Sequence, residues 1–213
     1  MIRMEKKKKR DFIEKNKHSH VDIPVGKWII QNAFSMCTEC RKYYPEFRVS
    51  INLSYVQILK SPLMMELKQM IDHSGISCSG IIVELTESGY LEGTPAVRSV
   101  WNDMKQLRIQ IALDDFGTGY SNLMNISNLE PDIVKLDRGF TLKALSRSYE
   151  YQLMQYVIEM VHKLNQYVCV EGVETKEDLE KIKALGPDLI QGYYYSKPCS
   201  RDEFLKKFFG YSE

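Results

Sequence analysis

Residues 109–121 read IQIALDDFGTGYS. An apolar run, Ile109 to Leu113 with one interruption at Gln110, ends in two consecutive carboxylates and then in a turn holding Gly117 and Gly119. A strand that is apolar on both faces until its last residues is buried between helices, as in a parallel sheet. The two glycines permit backbone angles that other residues avoid, so 116–121 reads as a loop beyond the strand's C-terminal end.

The same pattern recurs in both directions along the chain. Phe47–Ser54 (FRVSINLS), Ile81–Glu87 (IIVELTE), Asp132–Asp137 (DIVKLD), Tyr167–Val173 (YVCVEGV) and Leu189–Tyr195 (LIQGYYY) are short β-rich runs, most of them closing on polar residues. Helical patterns separate them. Ser61-Pro62 and Thr94-Pro95 each put a capping residue before a proline at the first helical position. Val97, Val100, Trp101, Met104 and Leu107 then share one helix face. Thr175 with Asp178, and Ser200 with Glu203, have capping-box spacing, and Gly186 follows Leu185 where a helix would end. Near the N-terminus, Pro24 precedes a helix whose expected apolar stripe is Val25, Trp28, Ile29, Ala33 and Met36.

A repeated βα unit leaves two architectures, a barrel or an open doubly wound sheet. No G-x-G-x-x-G follows a first strand. The placement of charge favours the barrel. Asn52, Glu84, Asp114, Asp115, Lys135, Asp137, Glu171 and Gln191 each fall at or near the C-terminal end of a strand or in its turn. In a barrel those ends converge on one mouth, where active sites are built. Carboxylates gathered there repel one another unless cations offset the charge, and hard divalent ions such as Mg²⁺ or Mn²⁺ prefer such oxygen ligands. Neighbouring strand residues point to opposite sides, yet at a strand's end Asp114 and Asp115 can both turn toward a site. Two bridged ions would serve in-line displacement at phosphorus. Lys135 and Asp137, two apart, share a face.

Composition limits the other classes. The 213 residues carry a formal net charge of +1 and are 44% hydrophobic, which fits one globular domain with a real core. Near-neutral charge argues against a DNA or RNA duplex as partner. The run Lys6 to Arg10 reads as a solvated basic tail, giving a division into a tail at 1–11 and a barrel domain at 12–213. No apolar stretch approaches the roughly 18 to 20 residues of a membrane span, and no signal-peptide core follows the basic residues, so the expected location is cytoplasmic. Five cysteines at irregular positions suit a reducing compartment, and Cys37-Thr38-Glu39-Cys40 lacks a second ligand pair for zinc.

In motif order, SINLS (50–54), ELTES (84–88), DDFGTGYSNL (114–123), DIVKLD (132–137), EGVET (171–175) and QGYYYSKP (191–198) resemble the EAL family of bacterial cyclic di-GMP phosphodiesterases. DFIEKNKHSHVDIPVGKWII (11–30) is similar to that family's N-terminal helix region. The resemblance implies a TIM-type barrel that hydrolyses cyclic di-GMP to linear pGpG with two Mg²⁺ or Mn²⁺ ions. It implies Asn52, Glu84 and Asp114 as ligands of one ion. It further implies that Asp114 and Asp115 hold the second, with Gln191 helping through water. Lys135 and Glu171 would position and deprotonate the attacking water. Glu87 would anchor the DFGTGYS loop, and Asp137 and Glu174 would support the site.

The family barrel begins with two further strands, the second carrying Glu-Ala-Leu and an Arg-Trp pair. Neither E-A-L nor R-W occurs anywhere in this chain, and 213 residues is short of the ~250 of a full barrel. The expectation is therefore an incomplete barrel without its first two strands, open at an edge and disposed to form a homodimer. The matching chemical expectation is a phosphodiesterase impaired by the missing Glu, or one that is inactive. The alternatives are a domain that binds cyclic di-GMP or a protein without turnover, a fragment of a longer signalling protein, and a non-functional remnant.

Overall fold

The computed structural model describes residues 22–53, 63–86, 95–118, 126 and 129–210. Six strands appear among them, β1 (Val49–Leu53), β2 (Ile81–Thr86), β3 (Gln110–Phe116), β4 (Ile133–Leu136), β5 (Tyr167–Glu171) and β6 (Leu189–Gln191). Helices α1 (Asp22–Cys40), α2 (Leu63–Ser74), α3 (Pro95–Gln106), α4 (Arg138–Ser146), α5 (Ser148–Lys163), α6 (Lys176–Lys183) and α7 (Arg201–Phe209) alternate with them. The strands lie in the order β1-β2-β3-β4-β5-β6. Each strand thus neighbours its successor, the order of a TIM-type (β/α) barrel, with six strands among the described residues where a closed barrel has eight.

The chain divides into two compact units. The first holds residues 1–83, 94–109 and 198–213. Its α1 buries Ile30, Phe34, Cys37 and Cys40. Of the stripe expected from sequence, Met36 is buried and Ile29 and Ala33 are half-buried, whereas Trp28 is 60% exposed. The pattern Ile30, Phe34, Cys37 has spacings of four and three, so it keeps one face while removing only apolar groups from water. Trp28 lies on the adjacent, exposed face. Pro24 also falls inside the first turn of α1 instead of ahead of it, a position where its missing N–H breaks no helical bond. Met36 and Cys40 pack with Phe204 and Leu205 of α7, and Phe47, Cys199 and Phe209 close over them. The Cys37 thiol donates to the Gly80 carbonyl at 3.5 Å, so it serves this packing.

The second unit holds residues 84–93 and 110–197. Strands β3 to β6 pair in parallel, with Val134 opposite Val168 and Val170 opposite Ile190. Every residue of β4 is buried. Met154, Ile158 and Val161 of α5 and Leu179 and Ile182 of α6 are buried as well. Two aspartates lock the strand starts. Asp132 accepts from Ile111 N at 2.8 Å and Asp188 from Val168 N at 2.7 Å. Both predicted capping boxes form, Thr175 with Asp178 on α6 and Ser200 with Glu203 on α7.

Strands β4, β5 and β6 end slightly earlier than their sequence runs. Leu189–Tyr195 becomes a strand only to Gln191, because Gly192 turns the chain against the 173 backbone. A β-carbon at Gly192 would collide with the Val173 main chain, and Tyr194 N donates back to Val173 O at 3.1 Å.

Candidate active site

Strand periodicity and register decide which polar side chains meet. Lys135 is the third residue of β4, and its ammonium lies among carboxylates from three other strands of the second unit. Lys135 Nζ is 2.8 Å from Glu84 Oε2 and 2.7 Å from Glu171 Oε1, and it donates a hydrogen bond to Asp114 Oδ1 at 3.0 Å. None of the four is more than 3% exposed. Burial alone would lower the lysine pKa. Glu84, Asp114 and Glu171 outweigh it and hold the ammonium well above the ordinary lysine range. Three carboxylates against one ammonium leave a formal excess of two negative charges in a water-poor place.

That excess and an all-oxygen donor set suit a divalent cation. Among the described residues, however, no three His, Cys, Asp or Glu side chains are drawn in to the spacing of a finished metal site. An ammonium occupies the centre instead.

The Asp-Asp pair is shaped by a bulge. Leu113 pairs with Val134 and Phe116 with Leu136, so Asp114 and Asp115 together oppose the single residue Lys135. Asp115 takes φ +60°, the left-handed region that is costly outside glycine and tolerated best by Asp and Asn. Two adjacent residues therefore escape the strict up-down alternation of a strand. Gly117 follows at φ +99°, with Phe140 of α4 packed where a β-carbon would project.

The remaining predicted residues divide into four groups. Gln191 is the register partner of Glu171 and ends β6, half-buried. Asp137 and Glu174 serve other partners. Asp137 caps α4, accepting from Gly139 N at 2.6 Å, and Glu174 binds Arg138 through Nη2 at 2.7 Å and Nε at 3.2 Å. Asn52 lies fourth on β1 in the first unit, half-buried. Glu87 lies outside the described residues, as do 119–123 of the loop motif.

One neighbour escaped the sequence reading. Cys169 is the register partner of Lys135 and is 7% exposed. Burial pushes its thiol up to about 12, against the pull of Lys135 and with the push of Glu171, Glu84 and Asp114. Its signal in the sequence is its position two before Glu171, which puts both on one face of β5.

Comparison with known proteins gives a consistent result. The family model described as EAL domain matches residues 2–198. Cyclic di-GMP phosphodiesterase PdeR of Escherichia coli K12 is 31% identical over 188 residues, covering 88% of this chain and 28% of that protein. The chain spans about a quarter of the length of the curated relatives it matches. Among solved structures, EAL enzyme Bd1971 in its cAMP- and cyclic-di-GMP-bound form superposes with a TM-score of 0.86 at 29% identity, over 92% of this chain and 54% of that one. Klebsiella pneumoniae BlrP1, in a calcium and cyclic di-GMP complex, shares the fold with a TM-score of 0.78 at 23% identity, over 86% of this chain and 46% of that one.

Proposed function

Because the chain belongs to the EAL domain family, we propose that it takes cyclic di-GMP and opens it to linear pGpG at the buried charge cluster of the second unit. One observation carries the reading: Glu84, Asp114, Lys135 and Glu171, from four separate strands, meet within 2.7 to 3.0 Å of one nitrogen. No packing requirement explains three buried carboxylates at one point, since burying charge in excess of its partners is costly. A site that handles cations and phosphate does explain it.

On this reading Glu84, Asp114 and Asp115 would hold two divalent ions, with Gln191 assisting through water. The expected metal is Mg²⁺ or Mn²⁺. Bound ions would polarise the phosphodiester and acidify the attacking water. The chain's own side chains do the rest. Glu171 accepts the proton of the water whose oxygen forms the new P–O bond, while the ribose 3′ oxygen departs and is protonated from solvent. Lys135 orients that water and offsets charge on the phosphate oxygens. Burial of all four groups strengthens each of these interactions over its value in water.

Turnover by this chain is slow on the same reading, because the Glu-Ala-Leu carboxylate occurs nowhere in its 213 residues. Misplacement of the water by even ~1 Å costs about 100-fold. That absence also favours the second reading, in which cyclic di-GMP is bound without hydrolysis. The test is incubation of purified chain with cyclic di-GMP and Mn²⁺, followed by chromatography for pGpG and calorimetry for binding. Product that disappears in Asp114→Ala establishes catalysis. Heat of binding without product establishes the sensor, and neither signal refutes both.

A further inference from the structure

The geometry of the cluster carries one step more, resting on the reading that these carboxylates form the metal site. Lys135 lies at contact distance from all three carboxylates at once, 2.8, 3.0 and 2.7 Å. A lysine whose sole task were to orient a water beside bound ions would not need to touch every carboxylate. The three carboxylates, from three different strands, converge on that one ammonium.

We propose that Lys135 is the internal counter-ion of the metal site, holding Glu84, Asp114 and Glu171 together in the metal-free chain and yielding these carboxylates when divalent cations bind. Cation binding is then an exchange. The incoming ion gains the Glu84 and Asp114 carboxylates but must displace their existing partner, and Glu171 is released to accept the proton of the water. Lys135 moves off its central position toward the phosphate or the water, where the reaction uses it. The exchange has two consequences. The chain folds without metal, because an ammonium already offsets part of the repulsion among buried carboxylates. Metal also stabilises the wild-type chain less than it would stabilise one without the lysine, since stabilisation reads only the difference between loaded and unloaded states.

The test is thermal unfolding of wild type and Lys135→Met, each in chelator and in excess Mg²⁺, with cyclic di-GMP absent throughout. In chelator the variant should melt on the order of 10 °C below wild type, as expected for buried charges stripped of a partner. Mg²⁺ should recover most of that loss, raising the variant's midpoint by several degrees more than the wild type's. By calorimetry the variant should bind Mg²⁺ at least about tenfold more tightly, because one positive charge has left the site. Equal midpoints in chelator, or an equal Mg²⁺ shift in both proteins, overturn the proposal. Should the variant fail to fold in chelator, refolding in Mg²⁺ decides: recovery supports the exchange, and failure in Mg²⁺ also overturns it.

A second measurement uses the wild type alone. Its ¹⁵N-lysine spectrum should contain a slowly exchanging ammonium resonance, absent from Lys135→Met, that moves on addition of Mg²⁺. Mg²⁺ binding by calorimetry with that resonance unmoved overturns the exchange and leaves the metal site standing. No Mg²⁺ binding to wild type at all refutes the metal site itself.

Discussion

Asp114→Asn tests whether the cluster carries charge in excess. The substitution keeps the shape and one acceptor oxygen while removing one of three carboxylate charges around Lys135. The lost attraction, for a pair at 3.0 Å, is about 5 kcal/mol at an effective dielectric of 20. Oxygens that share one nitrogen neighbour at these distances lie about 5 Å apart, so each carboxylate pair repels by about 3 kcal/mol at the same dielectric. Asp114 takes part in two such pairs, and removing it relieves about 6 kcal/mol. The two effects cancel to within about 1 kcal/mol, and the remaining Asn oxygen still accepts from Lys135. The midpoint in chelator should therefore move by no more than about 4 °C in either direction. Mn²⁺ affinity, which depends on ligand charge, should fall about tenfold or more, and pGpG formation should vanish. The assay is a thermal melt in chelator beside Mn²⁺ calorimetry on the same sample. A midpoint more than ~10 °C below wild type would mean that Asp114 is a structural partner of Lys135 and not a surplus charge. The electrostatic account of the site would then be wrong.

Three further outcomes follow from the same geometry. Glu171→Gln should reduce pGpG formation by a factor of about 10² to 10⁴ while leaving cyclic di-GMP binding nearly intact, read as a drop in kcat with little change in KM. Gly192→Ala, which forces a β-carbon into the Val173 main chain, should cost roughly 2 to 4 kcal/mol in urea unfolding, and an unchanged midpoint would contradict the packing of that turn. Cys169, buried and with its thiol pushed up to about 12, should resist iodoacetamide at pH 8.5 in the native chain and react in urea, as followed by mass spectrometry.

The parts of this fold that were legible in the sequence are those governed by local chemistry. DIVKLD announces a strand buried on both faces, and β4 is buried at every residue. Thr175 and Asp178 announce a helix start three residues apart, and both capping bonds form, at 3.0 and 3.1 Å. The face of α1 was legible only in part, since Met36 is buried as expected and Trp28 is not. Two adjacent apolar rows compete there, and the choice between them depends on what α7 and the Gly80 carbonyl offer to Met36, Cys40 and Cys37. No neighbour on α1 itself encodes that. Trp28 raised the apparent apolarity of the wrong row while remaining largely in solvent.

The site divides in the same way. That polar residues gather at strand ends could be read from the order of the motifs. Which of them touch could not, because contact depends on register between strands whose touching residues, Asp114, Glu171 and Glu84, stand 21, 36 and 51 positions from Lys135. The bulge at Asp114 and Asp115 is the deciding case. A strand without it would send one of the two aspartates to the opposite face. The extra residue opposite Lys135 relaxes that constraint, at the cost of a positive φ at Asp115. An adjacent pair of carboxylates in sequence is thus compatible with either a shared site or two unrelated faces. Only the pairing of β3 with β4 decides between them, and it does so with one residue of slippage.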